Sequence, residues 1–121
     1  MDSKKTLVLG ASTNPSRYSY IATHRLLENG HEVIPVGIKH GEVAGLEIKN
    51  DFDGIEEVDT LTLYVGPQNQ GTYIDPIIDL KPKRVIFNPG TYNPDFIRKL
   101  EENGIETVEA CTLVMLSAGT Y

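Results

Sequence analysis

The chain holds a single cysteine, Cys111, so no internal disulfide can form. No apolar run approaches the ~18 residues that suggest a membrane-spanning helix. No secretory apolar segment follows Met1-Asp2-Ser3-Lys4-Lys5. These absences point to the cytoplasm and away from a membrane. Positive charge is scarce: 11 Lys and Arg stand against 17 Asp and Glu, a net charge of -6. Non-specific nucleic-acid binding needs a basic surface, so nucleic acid is not an expected partner. Neither an H-E-x-x-H run nor paired cysteines occur, which removes the usual metal patterns. Also missing is the full G-x-G-x-x-G run of a dinucleotide fingerprint.

What is present is alternation from end to end. The 121 residues suit one domain over 1–121. A domain of this length buries roughly two-thirds of its extended surface, enough for a core without disulfides or metal. Strand-like runs fall at Lys5–Leu9, Glu32–Val36, Thr60–Val65, Arg84–Phe87 and Ile105–Val108. Helix-like stretches fall between them at Ser19–Asn29, Gln68–Leu80 and Asn93–Asn103, with a short closing helix at Thr112–Ser117. Asn93 suits an N-cap before Pro94, and Asn29-Gly30 and Asn103-Gly104 suit helix stops. Gly71 and Pro76 interrupt the second helix pattern, and Val43–Ile48 reads as a short strand or a pair of loops. Short β-rich runs separated by helices imply parallel strands with right-handed crossovers. The expected fold is therefore an α/β Rossmann-like three-layer sandwich on a mainly parallel five-stranded sheet.

The first loop, Gly10-Ala11-Ser12-Thr13-Asn14-Pro15, joins an apolar strand to a helix. That layout aims free backbone N–H groups at an anion. The second and third glycines of a dinucleotide run are absent, and Ser12 and Thr13 add hydroxyl donors to the backbone N–H groups. The end of the second strand discriminates further. A plain NAD site would place Asp or Glu there, whereas this chain reads Pro35-Val36-Gly37-Ile38-Lys39-His40. A lysine and a histidine suit a ribose that carries a phosphate, so coenzyme A and NADP both fit. The other reading of Lys39 and His40 is a solvated loop.

The run Gly-Ala-Ser-x-x-Pro-x-Arg-x-Ser-Tyr, here Gly10 to Tyr20, resembles the small standalone CoA-binding proteins. Val33-Ile34-Pro35-Val36, Val58-Asp59, Asn88-Pro89-Gly90 and Cys111 extend the resemblance over nearly the whole chain. That family is in turn similar to the CoA-binding domain of succinyl-CoA ligase α-subunits. The resemblance implies a domain that holds coenzyme A or acyl-CoA across the carboxyl ends of its strands. By position, Gly10, Ala11, Ser12, Thr13 and Asn14 would hold phosphates, with Arg17 and Ser19 near them. Gly37 and Lys39 would meet the adenosine phosphate region, Val65, Gly66 and Pro67 would border the adenine, and Asn88, Pro89 and Gly90 would line the pantetheine path. Where the family often reads Pro-Val-Asn-Pro, this chain has Pro35-Val36-Gly37-Ile38. Gly37, Gly66 and Gly90 would let backbone approach a flat or anionic group closely.

Catalytic constellations are not apparent. His24 lies inside the first helix and His31 in a turn, without a carboxylate or nucleophile at telling spacing. Succinyl-CoA ligase carries its phosphorylated histidine in a second domain, so the resemblance implies the binding half without the reacting half. Cys111 precedes the closing helix, where a helix start favours thiolate. It reads either as an inert buried cysteine or as a contact for the thiol end of CoA. Non-catalytic CoA binding, as a sensor or as partner of an acyl-CoA enzyme, is the leading expectation, and an NADP-binding oxidoreductase-like protein is the alternative. Edge strands and the apolar stretch Leu113–Leu116 need cover, which a second copy would supply.

Overall fold

The computed structural model describes residues 3–121. Its elements run β1 (Thr6–Leu9), α1 (Tyr18–Glu28), β2 (Val33–Val36), β3 (Glu42–Val43), β4 (Leu46–Glu47), β5 (Thr60–Leu63), α2 (Ile74–Leu80), β6 (Arg84–Phe87), α3 (Pro94–Glu102), β7 (Glu106–Glu109) and α4 (Thr112–Ala118). Among the described residues, five strands form one parallel sheet in the order β2-β1-β5-β6-β7. The fold is the expected Rossmann-like α/β arrangement. β1 sits between β2 and β5, with Leu9 beside Val36 on one side and Leu63 on the other.

Every residue of β1 and β5 is buried. Parallel strands covered on both faces need side chains that tolerate burial on both. On one face Leu7, Leu9, Leu61, Leu63, Val85 and Phe87 pack with Ile77 of α2 and with Phe96 and Leu100 of α3. Phe87 and Phe96 meet edge to face, their ring centres 5.5 Å apart. On the other face Val8 packs with Leu26 of α1 and with Val33, Val43 and Ile48. That second face is partly polar, because Thr6, Thr60 and Thr62 are fully buried there. Each hydroxyl is paired: Thr6 donates to the Lys4 carbonyl (2.9 Å), Thr60 to Asp59 (2.7 Å), and Thr62 bonds Thr112 (2.8 Å).

Most elements fall where the sequence places them. Asn93 caps α3 by accepting from the Phe96 N–H, with Pro94 in the first turn. The expected helix over 68–80 is a correction. Two 3₁₀ turns, Pro67–Asn69 and Gly71–Tyr73, precede a shorter α2. A helix running through from residue 68 would drive the Pro76 ring into the carbonyl four residues earlier and lose a hydrogen bond. Starting at Ile74 puts Pro76 in the first turn, where its missing N–H costs nothing. The ambiguous 43–48 region is a small antiparallel hairpin of β3 and β4. Beyond it the Lys49 N–H donates to the Pro35 carbonyl and the Gly37 N–H to the Lys49 carbonyl, both at 2.9 Å. This bridge covers the outer edge of β2. The opposite edge, β7, is half-exposed and carries exposed Glu106 and Glu109 at its ends, a charge pattern that discourages strand addition. In the apolar stretch of α4, Leu113, Met115 and Leu116 are half-buried, while Val114 is exposed.

The strand order reverses between β1 and β5. Loops from these two strands therefore diverge toward opposite faces and leave a crevice at their carboxyl ends.

Candidate functional site

A cleft of about 930 Å³ occupies this crevice. The loops after β1, β2, β5 and β6 form its walls. Such a volume lies within the roughly 300–1,000 Å³ of small-molecule sites.

The loop after β1 is fixed before it reaches the helix. Gly10 and Ala11 both donate their N–H to the Val36 carbonyl at 2.9 Å. Gly10 has φ +96°, and a Cβ there would stand 3.1 Å from the backbone of Tyr64. A side chain at this position would strain the backbone and crowd Tyr64, which favours glycine. The Ser12 hydroxyl accepts the Asn14 N–H (3.0 Å), and the side-chain Oδ1 of Asn14 accepts both the N–H and hydroxyl of Ser16 (3.0 and 2.8 Å). These contacts leave the Ser12 hydroxyl proton free to donate. α1 then begins with no described side chain capping it and with no acidic residue in its first turn. Uncapped N–H groups and the positive end of the helix dipole thus face the cleft beside Arg17.

The loop after β2 is fastened to the first. Gly37 is buried, and a Cβ on it would come 2.5 Å from the Ala11 carbonyl oxygen. The close approach expected at Gly37 is thus to another loop of the same chain. The Asn50 side-chain amide donates to the carbonyls of Gly37 (2.8 Å) and Lys39 (3.2 Å). Ile38 and Lys39 between and beside these anchors stand on the cleft wall.

Two buried amides shape the floor. Gln70, fully buried, donates to the carbonyls of Val65 and Thr91 (2.8 Å each) and accepts from Asn93 (2.9 Å). It ties the loop after β5 to the loop after β6. Asn88 donates to the Thr62 hydroxyl (2.7 Å) and the Leu63 carbonyl (2.9 Å), and accepts the Thr112 N–H (2.9 Å). Its polar atoms are committed to the interior, while Pro89 and Gly90 face the cleft. The sequence gives no sign of Gln70 or Asn50, because their partners lie far along the chain.

Of the residues singled out from sequence, Gly10, Ala11, Ser12, Thr13, Arg17, Ser19, Gly37, Lys39, Val65, Gly66, Pro89 and Gly90 line one cleft. Asn14 lies in the exposed turn beneath it, and Pro67 opens the first 3₁₀ turn just behind Gly66. Cys111, half-buried, precedes α4 and is joined to the floor through the Thr112–Asn88 bond. Sequence reasoning did not flag Tyr64 on the wall. Its hydroxyl is buried without a hydrogen-bond partner among the described residues. Burial pushes the Tyr64 phenol up to about 12, against the milder opposing pull of the nearby Thr62 and Thr112 hydroxyls. It therefore stays neutral at physiological pH.

Both internal histidines lie away from the cleft. His24 packs against Tyr20, the two rings tilted and their centres 4.8 Å apart. His31, 5% exposed, accepts the Lys4 N–H on Nδ1 (2.9 Å) and packs 4.9 Å from the Tyr121 ring. The Tyr121 hydroxyl meets Thr6, and the Arg84 guanidinium lies 4.6 Å over the ring. Burial, with the Lys4 and Arg84 charges, holds His31 below its ordinary pKa of 6.5. Among the described residues no group of His, Cys, Asp and Glu could hold a metal ion, and no helix is long and apolar enough to cross a membrane.

A parallel sheet whose strand order reverses beside a cleft at the carboxyl ends of its strands defines the Rossmann-like class of α/β domain. The chain belongs to the CoA-binding domain family, whose model matches residues 4–117. It is similar to the crystal structure of an uncharacterized protein at 58% identity, with TM-score 0.97 and 100% of each chain covered. It is also similar to a hypothetical protein from Pyrococcus horikoshii OT3, at 30% identity and TM-score 0.88, covering 96% of this chain and 83% of that one. An acetyl-coenzyme A synthetase from Ca. Korarchaeum cryptofilum, solved with phosphate and ADP, shares the fold at 18% identity and TM-score 0.76, covering 89% of this chain and 26% of that one. No curated protein matches the sequence.

Proposed function

We propose that this protein binds coenzyme A or an acyl-CoA without transforming it, in the cytoplasm, as a sensor of that ligand or as the partner of an acyl-CoA enzyme. The observation that carries the reading is the charge of the cleft. In a chain of net charge -6, no carboxylate among the described residues lines it, while Arg17, Lys39 and the open end of α1 do. The ligand's pyrophosphate would lie on the loop from Ser12 to Arg17 and its adenosine phosphate by Lys39. The base would border Val65 and Gly66. The pantetheine arm would follow Pro89 and Gly90 toward Cys111. No described histidine or cysteine lines the cleft either, which supports binding over acid–base or nucleophilic chemistry. A homodimer, each copy holding one ligand, is compatible with the exposed Val114 on α4.

Thermal melting with coenzyme A, NADP, NAD and ATP tests the reading. A ligand at 100 times its Kd adds about 2.7 kcal/mol, which raises Tm by on the order of 10 °C for a domain of this size. A rise with coenzyme A and none with NADP is expected. A rise with NADP alone reassigns the cleft to a nicotinamide cofactor, and no rise with any of the four removes the proposal. Arg17 is exposed, so Arg17→Ala should leave the ligand-free Tm unchanged while weakening coenzyme A binding roughly tenfold.

A further inference from the structure

We infer that Ile38 is the platform on which the flat base of the bound nucleotide lies, and that Asn50 is the positioning residue that holds it there. This rests on the coenzyme A reading above and adds the residues that recognise one end of the ligand. Ile38 is 83% exposed, the most exposed large hydrophobic side chain among the described residues. A lone aliphatic group in water ordinarily carries no message. Three observations set this one apart.

The first is location. Ile38 stands on the wall of the anion-binding cleft, next in sequence to Lys39. A nucleotide with a phosphorylated ribose needs an apolar surface for its base and a cation within one sugar's reach. Ile38 and Lys39 offer the two side by side.

The second is rigidity. Gly37, just before Ile38, is buried against the Ala11 carbonyl, and its N–H is held by the Lys49 carbonyl at 2.9 Å. The Asn50 amide grips the carbonyls of Gly37 and Lys39, the residues on either side of Ile38. The backbone on both sides of Ile38 is therefore fastened, with its side chain left exposed on the wall. Apolar surface pinned in water gains free energy when a ring covers it.

The third is contrast with the neighbouring walls. The loop after β1 presents hydroxyls, N–H groups and Arg17, which suit phosphate. The loop after β2 presents the aliphatic side chain instead. The first loop thus takes the pyrophosphate, and the second takes the base on Ile38 and the ribose phosphate on Lys39, with Val65 and Gly66 bordering the base.

The test dissects the ligand. Binding of coenzyme A, adenosine 3′,5′-bisphosphate and 4′-phosphopantetheine is measured by calorimetry for the natural protein and for Ile38→Ser, Ile38→Leu and Asn50→Ala. All three substitutions fall on exposed side chains, so the variants should fold. Ile38→Ser should weaken coenzyme A and the bisphosphate by the same factor, roughly five- to tenfold, and leave phosphopantetheine unchanged. Ile38→Leu should restore binding to within about twofold. Asn50→Ala should reproduce the split at about threefold, a pattern that general loosening of the fold would not give. If Ile38→Ser leaves coenzyme A affinity intact, or weakens phosphopantetheine equally, the platform is overturned. If the natural protein does not bind coenzyme A at all, the reading beneath it fails instead.

Discussion

At the amino ends of the strands, His31, Thr6, Arg84 and Lys4 close around the single ring of Tyr121. At the carboxyl ends, Gln70, Asn88 and Asn50 reach backbone carbonyls and leave Arg17, Lys39 and the start of α1 open. Both ends carry cations and hydroxyls. At the closed end those groups satisfy one another. At the open end the fastening is done by neutral amides, Gln70 and Asn88 buried and Asn50 exposed, so the charged groups stay available. A cleft of this kind is made rigid by side chains whose polar atoms are already paired within the chain.

Removing a fastener should give the largest effect. Asn88→Ala strands the Thr112 N–H and loosens the ends of β5 and α4 in a buried setting. Urea denaturation should show a loss of about 3–4 kcal/mol. A loss under about 1 kcal/mol would mean that water replaces the amide and that the two ends do not differ in the way described. Next in size is Gly37→Ala, which pushes a methyl group toward the Ala11 carbonyl from 2.5 Å. The expected cost is roughly 2 kcal/mol of stability, with weaker coenzyme A binding as the first two loops are forced apart. Unchanged affinity in a destabilised protein would uncouple the loop contact from the site.

The smallest effect belongs to the closed end and depends on pH. His31 titrates below 6.5 in the folded protein. Above that pH the ring is neutral in folded and unfolded chains alike, and nothing is lost. As pH falls below 6.5 the unfolded chain takes up the proton first, so stability declines until the folded ring titrates as well. Melting curves between about pH 5 and pH 8 should show this decline, and His31→Asn, which keeps an acceptor for the Lys4 N–H, should flatten it. Ligand affinity should not follow the same curve, because His31 lies at the far end of the strands from the cleft.

The fold and the turn after β1 are legible in the sequence because their signals are local. Gly10 to Arg17 announces strand, turn and helix within a few residues, and Asn93-Pro94 announces a helix start within two. The region after β5 was misread as one helix, although Pro76 marked where the helix had to begin. Gln70 and Asn50 were invisible for another reason. Gln70 bonds Thr91 across 21 positions and Asn50 bonds Gly37 across 13, and an amide carries no mark of a distant partner. Gly37 was noticed but explained as room for a ligand. The structure adds a second demand on this glycine, because a Cβ there would meet the Ala11 carbonyl, a contact that only the folded chain brings about.

The link from Asn88 to the start of α4 has a practical consequence. Cys111 is the sole thiol of the chain, and its neighbour Thr112 shares a hydrogen bond with the residue that precedes Pro89 and Gly90. Coenzyme A bound along the proposed path would shield this natural handle, so the rate at which a thiol reagent labels Cys111 could report filling and emptying.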